Sequence, residues 1–273
     1  MPIVKLYCEG VAGSPDVRIL RCLLEGYVTM GAILPDQSKF GIDKRIQIRR
    51  ETVPNTYCIV DRDFASVWQT PINKPHYWQG LGWHWDRKEV ENYLLDPVVV
   101  QKALGANAPA NYQTLLENAA DLIAKYQAAR TALASYQNPR AWLNTKFGKS
   151  RGQHNYIFPD AFDDNTCQSG IKNNVKNYLS RQTITINEVL NRYQTILPEF
   201  LAGGIRRQHF LYAFSGKDLL WALHKPLMAA KVGGGASLFV ESLLKGIEHK
   251  SKTEDIATWL PEWQALREII EQI

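Results

Sequence analysis

Three short apolar runs near the amino terminus of this 273-residue chain each end on carboxylates, and helical signals separate them. Val4 to Cys8 closes on Glu9-Gly10, and Tyr57 to Val60 runs into Asp61-Arg62-Asp63. Leu81, Trp83 and Trp85 alternate with Gly82, His84 and Asp86. Short runs rich in β-branched and aromatic residues read as strands. After the first, Ser14-Pro15-Asp16 supplies an N-cap, a proline at the first helical position and an acid in the first turn. Val17, Leu20 and Leu24 follow at spacings of three and four, with Gly26 as the stop. Val28 to Leu34 is expected to be a further strand, Ile42 to Arg49 a short helix with a basic face, and Glu89 to Leu95 a helix stopped by Pro97. Strands separated by helices of this length predict an α/β fold, a parallel sheet flanked by helices, over residues 1–96.

From 97 to 273 the pattern changes to a mostly helical extension expected to pack back on that core. Tyr112 to Leu133 repeats apolar residues with helical period, and similar patterns cover Ile186–Leu197, Lys217–Ala230, Ala236–Ile247 and Glu262–Ile270. Residues 140–182 are polar and weakly periodic. An apolar fraction of 45% and a charged fraction of 22% exclude wholesale disorder. No apolar run is long enough to span a bilayer, and MPIVKLYCEG lacks the layout of a signal peptide. Four cysteines without CxxC spacing argue against a zinc ribbon or a disulfide scaffold, so reduced thiols in a cytoplasmic protein are expected. The net charge of +5 is modest, but Lys44, Arg45, Arg49 and Arg50 cluster, as do Arg140, Lys146, Lys149 and Arg151, and Arg206 with Arg207. Such clusters suit phosphate contacts as well as solvated helix faces.

In a parallel α/β sheet, ligands gather outside the carboxyl ends of the strands. Glu9, Asp61, Asp63 and Asp86 all fall there. Carboxylates gathered at one rim repel one another unless a cation sits among them, and hard divalent ions prefer oxygen ligands. Asp61 and Asp63 are two apart, so they share a face and can converge on one ion. Asp16, in the first turn of the following helix, and Glu89 and Glu91, opening the helix after the last strand, are candidates to complete the set.

Strand-Glu9-Gly10, helix, then strand-Asp61-Arg62-Asp63 resembles the TOPRIM domain, the metal-binding module of topoisomerases, bacterial primases and OLD-family nucleases. Arg87-Lys88-Glu89-Val90-Glu91-Asn92-Tyr93-Leu94-Leu95 and Ser215-Gly216-Lys217-Asp218-Leu219-Leu220 are similar to segments of stand-alone TOPRIM proteins encoded beside ABC-type ATPases in bacterial anti-phage defence operons. The resemblance covers residues 4–96 well and 211–224 loosely. It implies a Mg2+- or Mn2+-dependent endonuclease with Glu9, Asp61, Asp63 and Lys217 as catalytic residues. The metal would be held by Glu9, Asp16, Asp61, Asp63, Glu89 and Glu91, and Lys217 would lie near the phosphate. OLD enzymes usually place the helical acid four residues after the glutamate, whereas Asp16 follows Glu9 by seven. The partners this implies are nucleic acid (DNA or tRNA/RNA) and a controlling ABC-type ATPase, with a homodimer left open and no membrane involved. Arg62, Arg87, Lys149 and Arg151 are the candidate nucleic-acid contacts.

Other classes fit less of the sequence. A haloacid-dehalogenase phosphatase also uses DxD, but at the first strand, and leaves Glu9 unexplained. A restriction-type core built on Asp86-Arg87-Lys88 leaves Glu9 and the DxD pair idle. A non-catalytic sensor or regulatory subunit docking on an ATPase would use the same acids for regulation, and the aromatic and basic stretch from Tyr136 to Phe158 as a protein interface. Gly233-Gly234-Gly235 lacks the lysine of a P-loop, so no nucleotide-binding motif of the chain's own is expected.

Overall fold

The computed structural model describes residues 5–28, 30–36, 41–62, 64, 68–136, 143–151, 156–178, 184–230 and 235–273, the side chains of Met30 and Arg151 excepted. Strands β1 (Lys5–Glu9), β2 (Ile33–Asp36), β3 (Thr56–Val60), β4 (His76–Trp78) and β5 (Gly82–His84) form one sheet in the order β2-β1-β3-β5-β4. The first four strands of that order are parallel, and β4 closes the edge antiparallel to β5. The sheet is therefore mixed and mostly parallel. The expected second strand begins later than its apolar run: Met30–Ala32 forms a single 3-10 turn, and only from Ile33 does the chain pair with β1. Strand β4, three residues long, carries too little alternation to be read from sequence.

Pleating divides the sheet's side chains between two unequal layers. Tyr7, Cys58 and Val60 pack against Ile42 and Ile46 of helix α2 (Ile42–Thr52), which covers one face alone. Leu6, Cys8 and Ile59 face the other way, into a core that runs without a break to Ile270. Helix α1 (Pro15–Leu23) opens that second layer with the expected proline at its start. Asp96-Pro97 ends the short helix α3 (Val90–Leu94) and at once begins α4 (Pro97–Leu104), because Asp96 accepts from the Val98 amide as an N-cap and proline suits the first helical position.

Among the described residues, the regular structure of the remainder is helical apart from one two-stranded ribbon. Helix α5 (Tyr112–Ala134) is the central rod, and its alanines 119, 120, 124, 128, 129 and 132 are buried, which lets neighbouring helices approach closely. The weakly periodic stretch holds the two-stranded ribbon β6 (Lys149–Arg151) and β7 (Tyr156–Phe158), followed by α6 (Asp164–Lys176). Then come α7 (Ile186–Phe200), α8 (Ile205–Gln208), α9 (Phe210–Ala213), α10 (Gly216–Ala222), α11 (His224–Ala229), α12 (Ala236–Lys250) and α13 (Pro261–Glu271). Arg18 of α1 grips Glu241 and Glu248 of α12 at 2.6 Å each, tying the extension to the sheet layer. Among the described residues, no helix is long and apolar enough to cross a membrane.

Candidate functional site

Four carboxylates meet at the carboxyl rim of the sheet. Glu9 is the last residue of β1, and its Oε1 accepts the Asp61 amide at 3.0 Å, so the ends of β1 and β3 are joined by a side chain. Asp61 follows β3, Asp16 lies in the first turn of α1, and Glu91 lies in the first turn of α3. Asp16, Asp61 and Glu91 are 6%, 5% and 9% exposed. Asp16 Oδ1 and Asp61 Oδ1 are buried without a hydrogen-bond partner among the described residues. Buried polar atoms almost always find partners, and a buried carboxylate oxygen without one is costly.

One cation enters the cluster from the far end of the sequence. Lys217 Nζ lies 3.3 Å from Glu91 Oε2 and 3.8 Å from Asp61 Oδ2, an ion pair to Glu91 without an aligned hydrogen bond. Two segments that stand apart in sequence bring it there. The Glu89 carboxylate accepts the Ser215 hydroxyl at 2.9 Å and the Lys217 amide at 2.9 Å, capping α10. Asn92 accepts the Glu89 amide and donates to the Phe214 carbonyl, completing a capping box that also staples α3 to the start of α10. Gly216 makes the approach feasible, because a Cβ there would stand 2.6 Å from the Asn92 nitrogen.

Electrostatics follow from this crowding. Burial, then the Glu91 charge, pushes the Asp16 carboxyl up to about 8. Burial and then Asp16 raise Asp61, and burial raises Glu91. Desolvation works against the Lys217 ammonium, but Glu89, Glu91, Asp61 and Asp16 outweigh it and hold the proton on well above the usual lysine range. Glu89 moves the opposite way from the other acids. Burial alone would raise it, but Lys217 and the hydrogen bonds from Ser215 and the Lys217 amide lower it.

The sequence-derived candidates therefore separate. Glu9, Asp16, Asp61, Glu91 and Lys217 come together. Glu89 lies beside them, its carboxylate accepting from Ser215 and the Lys217 amide and so capping α10. Asp63 lies outside the described residues. Asp86, also at a strand end, turns away and accepts the Ile72 and Asn73 amides, with His76 Nε2 at 2.6 Å. It organises the loop before β4. His84 packs against Trp78 with ring centres 4.7 Å apart and planes tilted by 44°, and its Nδ1 lies 3.4 Å from the Asp61 carbonyl oxygen.

The expected nucleic-acid contacts are mostly spoken for. Arg87 is corrected: it is buried, paired with Glu262 at 2.9 Å and Asp96 at 2.8 Å, and cannot reach a phosphate. Arg62 donates to the Asp86 carbonyl at 2.8 Å. Lys149 is exposed and pairs with Asp160 at 2.9 Å, and the Arg151 side chain lies outside the described residues. The basic face of α2 also serves the fold, since Arg45 and Arg49 pair with Asp36 and Arg50 lies over the Tyr57 ring. Sequence reasoning missed the buried Asp218, which accepts from Gln127, Arg130 and the Tyr156 hydroxyl beside Lys217.

The acid cluster fits a hard cation in charge and donor type, with oxygen atoms that lack partners and neighbours that raise one another's pKa. As the side chains stand, no three His, Cys, Asp or Glu among the described residues form a group in metal-holding geometry. No protein-family model matches the chain, and no curated protein matches it significantly.

Proposed function

We propose that the chain is a metal-dependent nuclease of the TOPRIM type, hydrolysing phosphodiester bonds in DNA or RNA at the cluster of Glu9, Asp16, Asp61 and Glu91. What carries this is the pair of buried carboxylate oxygens, Asp16 Oδ1 and Asp61 Oδ1, left without partners at the rim where α/β sheets bind ligands. Glu9, Asp16, Asp61 and Glu91 would hold Mg2+ or Mn2+, with Asp63 the neighbouring candidate. When bound, such an ion would polarise a phosphoryl oxygen and make water a better nucleophile. The chain's own residues do the rest. Glu9 fixes the Asp61 backbone, Glu89 and Asn92 hold the start of α10, and Lys217 is carried to the acids, where its ammonium would offset charge developing on the phosphate. By the family resemblance, the enzyme would be a cytoplasmic toxic effector against phage, restrained by an ABC-type ATPase partner.

Cleavage of labelled RNA and DNA in Mg2+ or Mn2+ tests the proposal. Wild-type protein, alone or with the ATPase assembly, should cut, and Glu9→Ala and Asp61→Asn should not. Full cutting by a folded Asp61→Asn variant would remove the cluster from the reaction.

A regulatory role without catalysis has one observation in its favour. Lys217 already neutralises part of the cluster from within the chain. Calorimetric binding of Mn2+ to the wild type, with no cleavage in any assembly, would favour this alternative.

A further inference from the structure

A second site lies between the β6–β7 ribbon and α6. An open groove there has a volume of about 660 Å3, within the range of pockets that hold a small organic group. Asn165, Ser169 and Asn173 sit at successive four-residue steps along α6 and line one wall. All three are exposed, and their side chains have no hydrogen-bond partner among the described residues. Asn144 lines the opposite side, held in place because Asn174 donates to the Asn144 and Lys146 carbonyls at 2.8 and 3.0 Å. Phe147, Ile157 and Pro159 also belong to its lining, with Ile157 the one partly exposed. Gly170 lets α6 lie directly on the Phe147 ring, where a Cβ would stand 2.3 Å away.

The groove's charge is cationic or balanced. Lys146 and Lys149 belong to its walls, and the one acid, Asp160, is paired with Lys149 at 2.9 Å. A chain of contacts leads from the groove toward Lys217. Lys146 Nζ lies 4.2 Å from the centre of the Tyr156 ring, and Tyr156 stacks on Trp221 with centres 5.1 Å apart and planes 14° from parallel. The Tyr156 hydroxyl donates to Asp218, the residue after Lys217.

We infer that this groove binds an unpaired nucleobase of single-stranded nucleic acid, on the strand whose backbone passes Lys146 toward the acid cluster. The identity of the ligand rests on the nuclease proposal. The chemistry fits in three respects. Asparagine amides offer a donor and an acceptor together, as base edges require, and serine can serve either role. Ile157 gives the lining partly exposed apolar surface for a base to rest on, and the flanking lysines suit phosphates. A base held by its edge is not available to a complementary strand, so duplex is excluded.

Binding measured in EDTA separates the groove from catalysis. Fluorescently labelled single-stranded RNA, single-stranded DNA and a duplex of the same sequence are titrated against wild type, Ser169→Trp, and the pair Asn165→Ala with Asn173→Ala. Ser169→Trp should fill the groove and weaken single-strand binding about tenfold, the scale of losing one base contact. The double alanine variant, which adds no bulk, should weaken it several-fold with an unchanged circular dichroism spectrum. The tighter of the two single strands identifies the natural sugar. Wild-type affinity in both groove variants, or equal affinity for duplex, would overturn the inference. Groove-dependent binding by a protein that never cuts would sink the nuclease proposal and leave the groove standing.

Discussion

Glu89 and Glu91 stand two residues apart on the same turn and are both buried, yet their partners give them opposite chemistry. Glu89 meets two donors and the Lys217 charge and favours its own charge; Glu91 meets other acids and one lysine and disfavours it. Glu89→Gln removes charge-assisted hydrogen bonds from the start of α10 and should cost about 1.5–3 kcal/mol, read as a lower melting temperature. Asp61→Asn at pH 8 in EDTA should leave the melting temperature unchanged or raised, because it relieves a repelling charge. A drop equal to that of Glu89→Gln would show that Asp61 is structural. Lys88 offers a third contrast. It is buried, with Nζ 3.6 Å from the centre of the Phe64 ring and no ion pair among the described residues, and burial followed by Arg206 lowers its pKa well below the usual value. For a base, a lowered pKa means that burying the charged form costs free energy, so folding is penalised wherever the unfolded lysine carries its proton, neutral pH included. Lys88→Met should therefore raise the melting temperature at pH 7, and a fall would mean that the ammonium has a partner in the folded protein.

At the scale of elements, the site is a junction between α3 and the first turn of α10, with Gly216 at the point of contact. Gly216→Ala places a methyl group against the α3 backbone, and overpacking of this kind costs about 1–3 kcal/mol. If the junction positions Lys217, the variant should lose more cleavage activity than stability at working temperature. Equal losses would make the junction merely structural. What sequence made legible here follows from what is local. Strand ends, the Ser14-Pro15 helix start and the long period of α5 are written in neighbouring residues, so they can be read directly. That Glu9, Asp16, Asp61 and Glu91 share one rim follows from parallel pairing, which strand-helix alternation implies. The buried pairing of Arg87 with Glu262 and the bonding of Glu89 to Ser215 were not legible because those partners are more than a hundred residues away. The β6–β7 ribbon was invisible because three-residue strands leave no period to detect.

For the whole molecule, the cluster ties stability to proton concentration, and under the proposed function it would tie it to metal concentration as well. A carboxyl whose pKa is raised on folding binds more protons in the folded than in the unfolded state between the two values. For Asp16 that window runs from its ordinary value of 3.8 to about 8. Asp61 and Glu91 shift in the same direction. Stability in EDTA should therefore fall as pH rises through that window, on top of the protein's general profile, and Asp61→Asn should flatten the fall. Oxygen ligands bind a divalent ion when deprotonated, so the ion competes with the protons. Saturating Mn2+ should accordingly raise the melting temperature strongly at pH 8 and little at pH 5.5, by an amount that grows with the logarithm of its concentration. Thermal melts at both pH values, with and without Mn2+, in wild type and Asp61→Asn, read this directly. A Mn2+ effect of equal size at both pH values, or one that survives in Asp61→Asn, would place the ion elsewhere on the protein and leave Lys217 as the cluster's working counterion.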